Sequence, residues 1–165
     1  MADFTGKVVL ITGASGNLGR AAAQRFAAAG AKLALAERDE AKAADIAREF
    51  GGLALAADVT DPASVEALVQ RIEAEYGRID VLAHTVGGYA AGQPVHEAGL
   101  EVWDKMLNLN AKSVYVMAGR VAKHMVEHQI EGSIVAIVSR NAYKGTAKNA
   151  AYSAAKAAAQ RVIES

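Results

Sequence analysis

The sequence predicts a doubly wound α/β fold: a parallel sheet of strand order 3-2-1-4-5 with helices on both faces. Three observations carry this. Short apolar runs alternate with longer amphipathic stretches along the chain. The runs are apolar at successive positions rather than at every second one, as strands buried on both faces require. A glycine-rich turn, Thr12-Gly-Ala-Ser-Gly-Asn-Leu-Gly19, follows the first run, where a strand hands over to a helix. Right-handed crossovers between such strands leave a ligand crevice at their carboxyl ends.

Each element has its own signal. Residues 7–11 read as the first strand and 18–29 as the first helix, closed by Gly30. A second strand over 32–36 leads to a helix over 39–50, ended by Gly51-Gly52. The third strand is 53–57. Asp61-Pro62 then supplies an N-cap followed by proline at the first helical position, opening a helix through Tyr76 that Gly77 stops. A fourth strand over 79–83 precedes a glycine-rich loop over 87–99. Helical stretches over 100–109 and 111–129, a strand over 133–138 and a helix over 150–164 complete the order. With no repeats, low-complexity tracts or linkers, residues 1–165 read as a single domain.

Composition narrows the function classes. Eighteen basic and eighteen acidic side chains balance, without a basic block to hold nucleic acid or an anionic membrane. The absence of cysteine excludes disulfides and thiolate catalysis. The N-terminus lacks a leader pattern and the apolar runs are strand-sized, so a soluble, cytoplasmic protein is expected.

The glycine turn spaces Gly13, Gly16 and Gly19 three apart. Gly13 permits the turn, Gly16 lets the backbone approach a phosphate, and Gly19 lets the helix lie close on the sheet. A tight βα turn wants glycine for steric reasons alone, but this position favours a dinucleotide pyrophosphate at the helix N-terminus. Glu37 ends the second strand at the distance where an acid grips the adenosine ribose, although surface carboxylates are common there. Arg38 beside it argues instead for a 2′-phosphate. Because Glu37 would repel that phosphate, NAD is expected, with NADP as the alternative. Asp58 ends the third strand as an adenine contact or a loop cap.

Tyr152 and Lys156 lie four apart on the final helix and share one face. An ammonium near a phenol pulls its pKa down from about 10 toward working pH. Ser139, at the end of the fifth strand, has a hydroxyl poised to orient a carbonyl as well as to form a turn. His124 and His128 also lie four apart, a spacing that can chelate. No third ligand presents itself in the sequence, so they read as solvated positions and no metal is expected. His84, Tyr89 and Trp103 are adequately explained by packing.

These residues together resemble the short-chain dehydrogenase/reductase family, from Lys7 to the end of the chain. The Tyr-x-x-x-Lys element matches at Tyr152 and Lys156, the catalytic serine falls on Ser139, the active-site asparagine on Asn110 and the adenine-side aspartate on Asp58. The resemblance implies a Rossmann domain and hydride exchange between a nicotinamide cofactor and a small carbonyl or secondary alcohol. Tyr152 would be the general acid/base. Lys156 would lower its pKa and bond the nicotinamide ribose, Ser139 would orient the substrate oxygen, and Asn110 would hold a relay water. The implied cofactor contacts are Gly13, Ser15, Gly16, Asn17, Leu18 and Gly19 in the turn. Glu37, Arg38, Asp58, Val59, Thr85, Val86 and Gly87 follow at the strand ends, with Tyr152 and Lys156 beside the nicotinamide.

The chain departs from the family in three places. Asn17 stands where the middle glycine of the fingerprint belongs, and asparagine tolerates positive φ. The Asn-Asn-Ala-Gly after the fourth strand is here His84-Thr85-Val86-Gly87, so His84 or Thr85 must replace the asparagine hydrogen bonds. Family members also continue past the last helix with further strands, a Pro-Gly turn and a substrate lid, so the chain is expected to be either a fragment of a longer enzyme or a minimal form with the C-terminal strands missing. That length keeps a second reading open, a non-catalytic nucleotide-binding or truncated interaction module. Small residues on the last two long helices (Ala118, Gly119, Ala122; Ala154, Ala155, Ala157, Ala158) either press on the sheet or pair across a two-fold axis. The resemblance implies the latter, a homodimer.

Overall fold

A computed structural model describes residues 3–165. The order is β1 (Val8–Thr12), α1 (Asn17–Ala28), β2 (Lys32–Glu37), α2 (Glu40–Phe50), β3 (Leu53–Ala56), α3 (Pro62–Tyr76) and β4 (Val81–His84). It continues through α4 (Leu100–Leu107), α5 (Ser113–Glu127), β5 (Ser133–Ala136) and α6 (Ala150–Glu164). All four strand pairings are parallel, and the sheet runs β3-β2-β1-β4-β5, as expected.

Alternation along β1 divides the core into two layers. Val8 and Leu10 face Val65, Leu68 and Ile72 of α3 and Met117 and Val121 of α5. Val9 and Ile11 face the other side, with Ala23 of α1 and Ile46 of α2. The edge strand β5 is buried less, for register puts Val135 on the face of Ile11 and Ala83, yet Val135 is 52% exposed.

Local signals set the helix ends. Asp61 accepts from the N–H groups of Ala63 and Ser64 with Pro62 first in the helix, and Gly77 closes it in the left-handed conformation. Asp39 caps α2 from outside, accepting from Lys42 N–H. Several ends differ from expectation. β4 is displaced by two residues at its start and includes His84, because Thr12 at the end of β1 is its register partner. β5 stops at Ala136, so Ser139 lies beyond the strand rather than closing it.

The largest correction concerns residues 100–127. These are not two separate helices. α4 and α5 are joined by a π-helical turn, Asn108–Lys112, in which Ser113 N–H donates to Asn108 C=O five residues back. Asn110 sits inside that turn and is fully buried.

Candidate active site

The first wall of the site is the β1–α1 turn. Gly13 has φ +70°, which a side chain would strain, and its N–H donates to Ala36 C=O (2.9 Å). A Cβ on Gly19 would stand 2.2 Å from Gly13 O, so α1 approaches the turn only because that residue is glycine. No side chain caps the N-terminus of α1, and its first turn holds no acid. Its free N–H groups and dipole favour an anion there. Such a bare helix start fits a pyrophosphate.

A cleft of about 490 Å³ opens over this turn at the carboxyl ends of β1, β2, β3 and β4. Gly13, Ser15 and Gly16 line it from the turn, Glu37 from the end of β2, Arg38, Asp58 and Val59 from the segments just past β2 and β3, and Thr85, Val86 and Gly87 from the segment just past β4. Asn17, Leu18 and Gly19 belong to α1 and are not in its lining, and Leu18 is half exposed. Thr60, Lys105 and Leu109 also line the cleft and were not expected.

Two acids at this rim are already engaged. Ser15 N–H donates to Glu37 Oε1 at 2.6 Å. Asp58 Oδ1 accepts from Thr60 Oγ1 (2.7 Å) and Thr60 N–H (2.8 Å). The Thr60 hydroxyl and N–H hold the Asp58 carboxyl below its ordinary pKa, with Arg38 and Lys112 adding smaller favourable charges against the effect of burial. Asp58 is thus a loop cap that bonds Thr60 through Oδ1 alone.

The second wall comes from α6, the π-turn and the segment after β5. Lys156 is buried, and Nζ donates to Ile137 C=O at 2.7 Å. Burial lowers its pKa from the ordinary value. Gly87 brings three residues together: a Cβ there would lie 3.0 Å from Asn110 Oδ1 and 3.2 Å from Lys156 Nζ. The Asn110 amide is bound on both sides. Oδ1 accepts from Gly88 N–H (3.1 Å), and Nδ2 donates to Gly88 C=O (3.0 Å) and Met106 C=O (3.1 Å). Both amide donors are consumed by protein.

Ser139 caps a short 3₁₀ turn, Arg140–Ala142, and its Oγ accepts from Asn141 N–H (3.2 Å). Among the described residues its own O–H donates to no protein group. Asn141 Nδ2 in turn reaches Ser153 Oγ (3.3 Å), tying this turn to the helix that carries Tyr152. Tyr152 is half-buried, and Tyr89 meets it edge-on with ring centroids 5.0 Å apart. The Tyr89 hydroxyl donates to Asn149 Oδ1 (2.7 Å) at the start of α6. Asn141 and Tyr89 support the site through contacts made only in the folded chain, and no spacing in the sequence announces them.

The substitution after β4 is resolved as well. Thr85 Oγ1 donates to Thr12 C=O (2.8 Å), and His84 bonds Thr12 and Ser113, so both residues tie β4 to its neighbours. The histidine pair at the C-terminal end of α5 does meet a third group, contrary to expectation: Glu73 of α3 joins His124 and His128, the residue that follows the helix. The proton positions oppose a metal there. Ile79 N–H donates to His124 Nε2 (3.0 Å), so Nδ1 carries the proton toward Glu73 Oε1 (2.7 Å). His124 is a fully buried link between helices.

A parallel sheet wound on both faces around a strand-end cleft is Rossmann-like. Within that class the assignment is narrower. Residues 7–165 match the short chain dehydrogenase family, and the chain belongs to it. It is 37% identical over 142 residues to D-threitol dehydrogenase of Mycolicibacterium smegmatis, which covers 83% of this chain and 54% of that protein. The short chain dehydrogenase/reductase dpmpG of Macrophomina phaseolina is 30% identical over 149 residues, 87% of this chain and 85% of that one. A short-chain type dehydrogenase/reductase structure from Mycobacterium marinum superposes with a TM-score of 0.90 at 29% identity, over 97% of this chain and 65% of that one. The chain therefore spans about half the length of the first relative and about two thirds of the solved structure.

Proposed function

We propose that this chain is an oxidoreductase that interconverts a carbonyl and a secondary alcohol on a small molecule, with a nicotinamide dinucleotide bound in the strand-end cleft. The observation that carries the reading is Lys156 beside Gly87 and Asn110, on the same helix face as Tyr152. The bare N-terminus of α1 and the 490 Å³ cleft above it suit the dinucleotide phosphates. When bound, the dinucleotide supplies or accepts the hydride.

The side chains do the rest. In reduction, Tyr152 donates its phenolic proton to the substrate oxygen; in oxidation its phenolate takes the proton back. Two of the Lys156 N–H donors remain for the nicotinamide ribose once Ile137 C=O has taken the third. Ser139 directs its free O–H at the same substrate oxygen. Asn110, with its amide donors held by Gly88 and Met106, fixes the loop after β4. Glu37 favours NAD over NADP, since its carboxylate repels a 2′-phosphate, and Arg38 is the alternative reader. The small residues Ala118, Gly119 and Ala122 on α5 support a homodimer built on α5 and α6.

The test is Tyr152→Phe. Turnover of the alcohol or carbonyl should fall by at least about a hundredfold, with dinucleotide affinity nearly unchanged, because the phenol bonds only the reacting substrate. Equal turnover in the variant would remove Tyr152 from the chemistry. Dinucleotide binding without turnover in the wild-type chain would leave a nucleotide-binding module.

A further inference from the structure

His84 is fully buried where β4, β1 and α5 meet. Thr12 Oγ1 lies 2.8 Å from its Nδ1 and Ser113 Oγ 3.2 Å from its Nε2. The protons on these groups follow by elimination. Ser113 has one hydroxyl hydrogen and gives it to Leu109 C=O at 2.7 Å. Its oxygen is therefore the acceptor toward His84, and Nε2 carries the ring proton. Nδ1 is then bare and accepts the Thr12 hydroxyl. The strap runs one way, from Thr12 through His84 and Ser113 to Leu109.

The last bond explains the geometry of the π-turn. In an α-helix, Ser113 N–H would serve Leu109 C=O, four residues back. Here that N–H is spent on Asn108 C=O instead. The Ser113 hydroxyl replaces it at Leu109, so a side chain supplies the donor that the wider turn displaces. His84 Nε2–H holds the hydroxyl in the rotamer that does this. The same turn aims the Asn110 amide at Gly88 and lets Gly87 approach Lys156.

We infer that His84, neutral and protonated at Nε2, is a positioning residue that holds the π-turn and with it Asn110 and the Gly87–Gly88 segment against the end of β1. An imidazolium would present a donor at both nitrogens, and burial together with the Lys156 charge disfavours that form. Thr12 and Ser113 are uncharged, so Lys156 on α6 is the charge that acts on the ring. Asn110 belongs to a reacting site only on the function proposed above. The experiment below uses neither cofactor nor substrate, so failure of that reaction and failure of this inference are separate results.

Nitrogen NMR of the wild-type protein at neutral pH should show His84 protonated at Nε2 alone. An Nδ1 tautomer or an imidazolium overturns the assignment. Hydrogen exchange then tests the consequence in Ser113→Ala, which removes the contact through which His84 acts, and in His84→Phe, which removes both nitrogens. The Gly88 amide, which donates to Asn110 Oδ1, should exchange roughly tenfold faster or more in Ser113→Ala. Leu10 and Leu35, central in the sheet, should keep wild-type rates. His84→Phe should show the same selectivity where it folds, and Ser113→Ala decides the matter where it does not. Uniform loss of protection across the sheet, or an unchanged Gly88, overturns the positioning role.

Discussion

Burial holds the His84 imidazole down at about pKa 4, and the positive charge of Lys156 adds to the effect. In the unfolded chain the ring takes a proton near its ordinary value of 6.5. Between these values the unfolded chain binds more protons than the folded one, so stability falls as the pH drops through that window. Above about 6.5 both forms are neutral and the full stability is present. The total loss by pH 4 should approach roughly 3 kcal/mol. Denaturant midpoints recorded from pH 7 to 4 check this, since the fall between about pH 6.5 and 5, where carboxylates stay largely ionised, should be mostly lost in His84→Phe. A wild-type midpoint that stays level across the window would show that the ring charges without penalty.

At the level of elements, Asp80 pins β4 to the start of β1. Its carboxylate accepts from Val8 N–H (2.9 Å), Lys7 Nζ (3.0 Å) and both Arg78 Nε (2.8 Å) and Nη2 (2.6 Å). Burial alone would raise its pKa; Arg78, the Val8 N–H and Lys7 together outweigh that and hold it below the ordinary value. Asp80→Asn keeps the volume and loses the charge. Because Lys7 and Arg78 reach solvent, the cost should be about 2 kcal/mol rather than that of a fully buried pair, read by chemical denaturation. A variant as stable as the wild type would mean that the two cations contribute nothing to strand pairing. Elements of this kind divide into those the sequence announces and those it does not. The α3 ends were legible because Asp61, Pro62 and Gly77 act on their own backbone. The cleft was legible at Gly13, Glu37 and Asp58, where position after a strand fixes direction. The π-turn was not, since Asn110 is held by Gly88, a partner 22 residues earlier. Glu73 beside His124 and Asn141 beside Ser153 escaped for the same reason: each is a tertiary meeting with no local pattern.

Considered whole, the molecule leaves apolar surface at one end. Among the described residues no helix is long and apolar enough to cross a membrane. Yet Val135 and Ile137 stand open on one face of the β5 end, and Tyr115 is 68% exposed on α5. A groove of about 650 Å³, larger than the strand-end cleft, runs past Tyr115, Gly119, Ala122, Val162 and Ile163. It contains none of the proposed catalytic residues. Small side chains on α5 let a second helix approach closely, and a two-fold axis would bury the same groove on both copies. Light scattering should therefore give a mass twice that of the 17.1 kDa chain over a range of concentrations. Gly119→Arg, which adds a long cation in the groove, should shift the population to monomer. A wild-type monomer at high concentration would confine these small residues to packing within the chain.

The bond between Ser15 N–H and Glu37 has a consequence for selectivity. Glu37 is a tethered competitor: it occupies, from within the chain, a donor that an incoming anion would use. Competition of this kind is intramolecular, so its strength does not depend on the protein concentration. Any ligand group that seeks Ser15 N–H must first displace it. Glu37→Ala then does two separable things, releasing the donor and deleting the carboxylate that would repel a 2′-phosphate. Affinity for inorganic phosphate should rise through the first effect, and affinity for NADP relative to NAD through both. Calorimetric titration of the three ligands resolves them. Wild-type preference for NADP would make Arg38 the reader of that corner, and unchanged phosphate affinity in the variant would mean that Glu37 guards nothing.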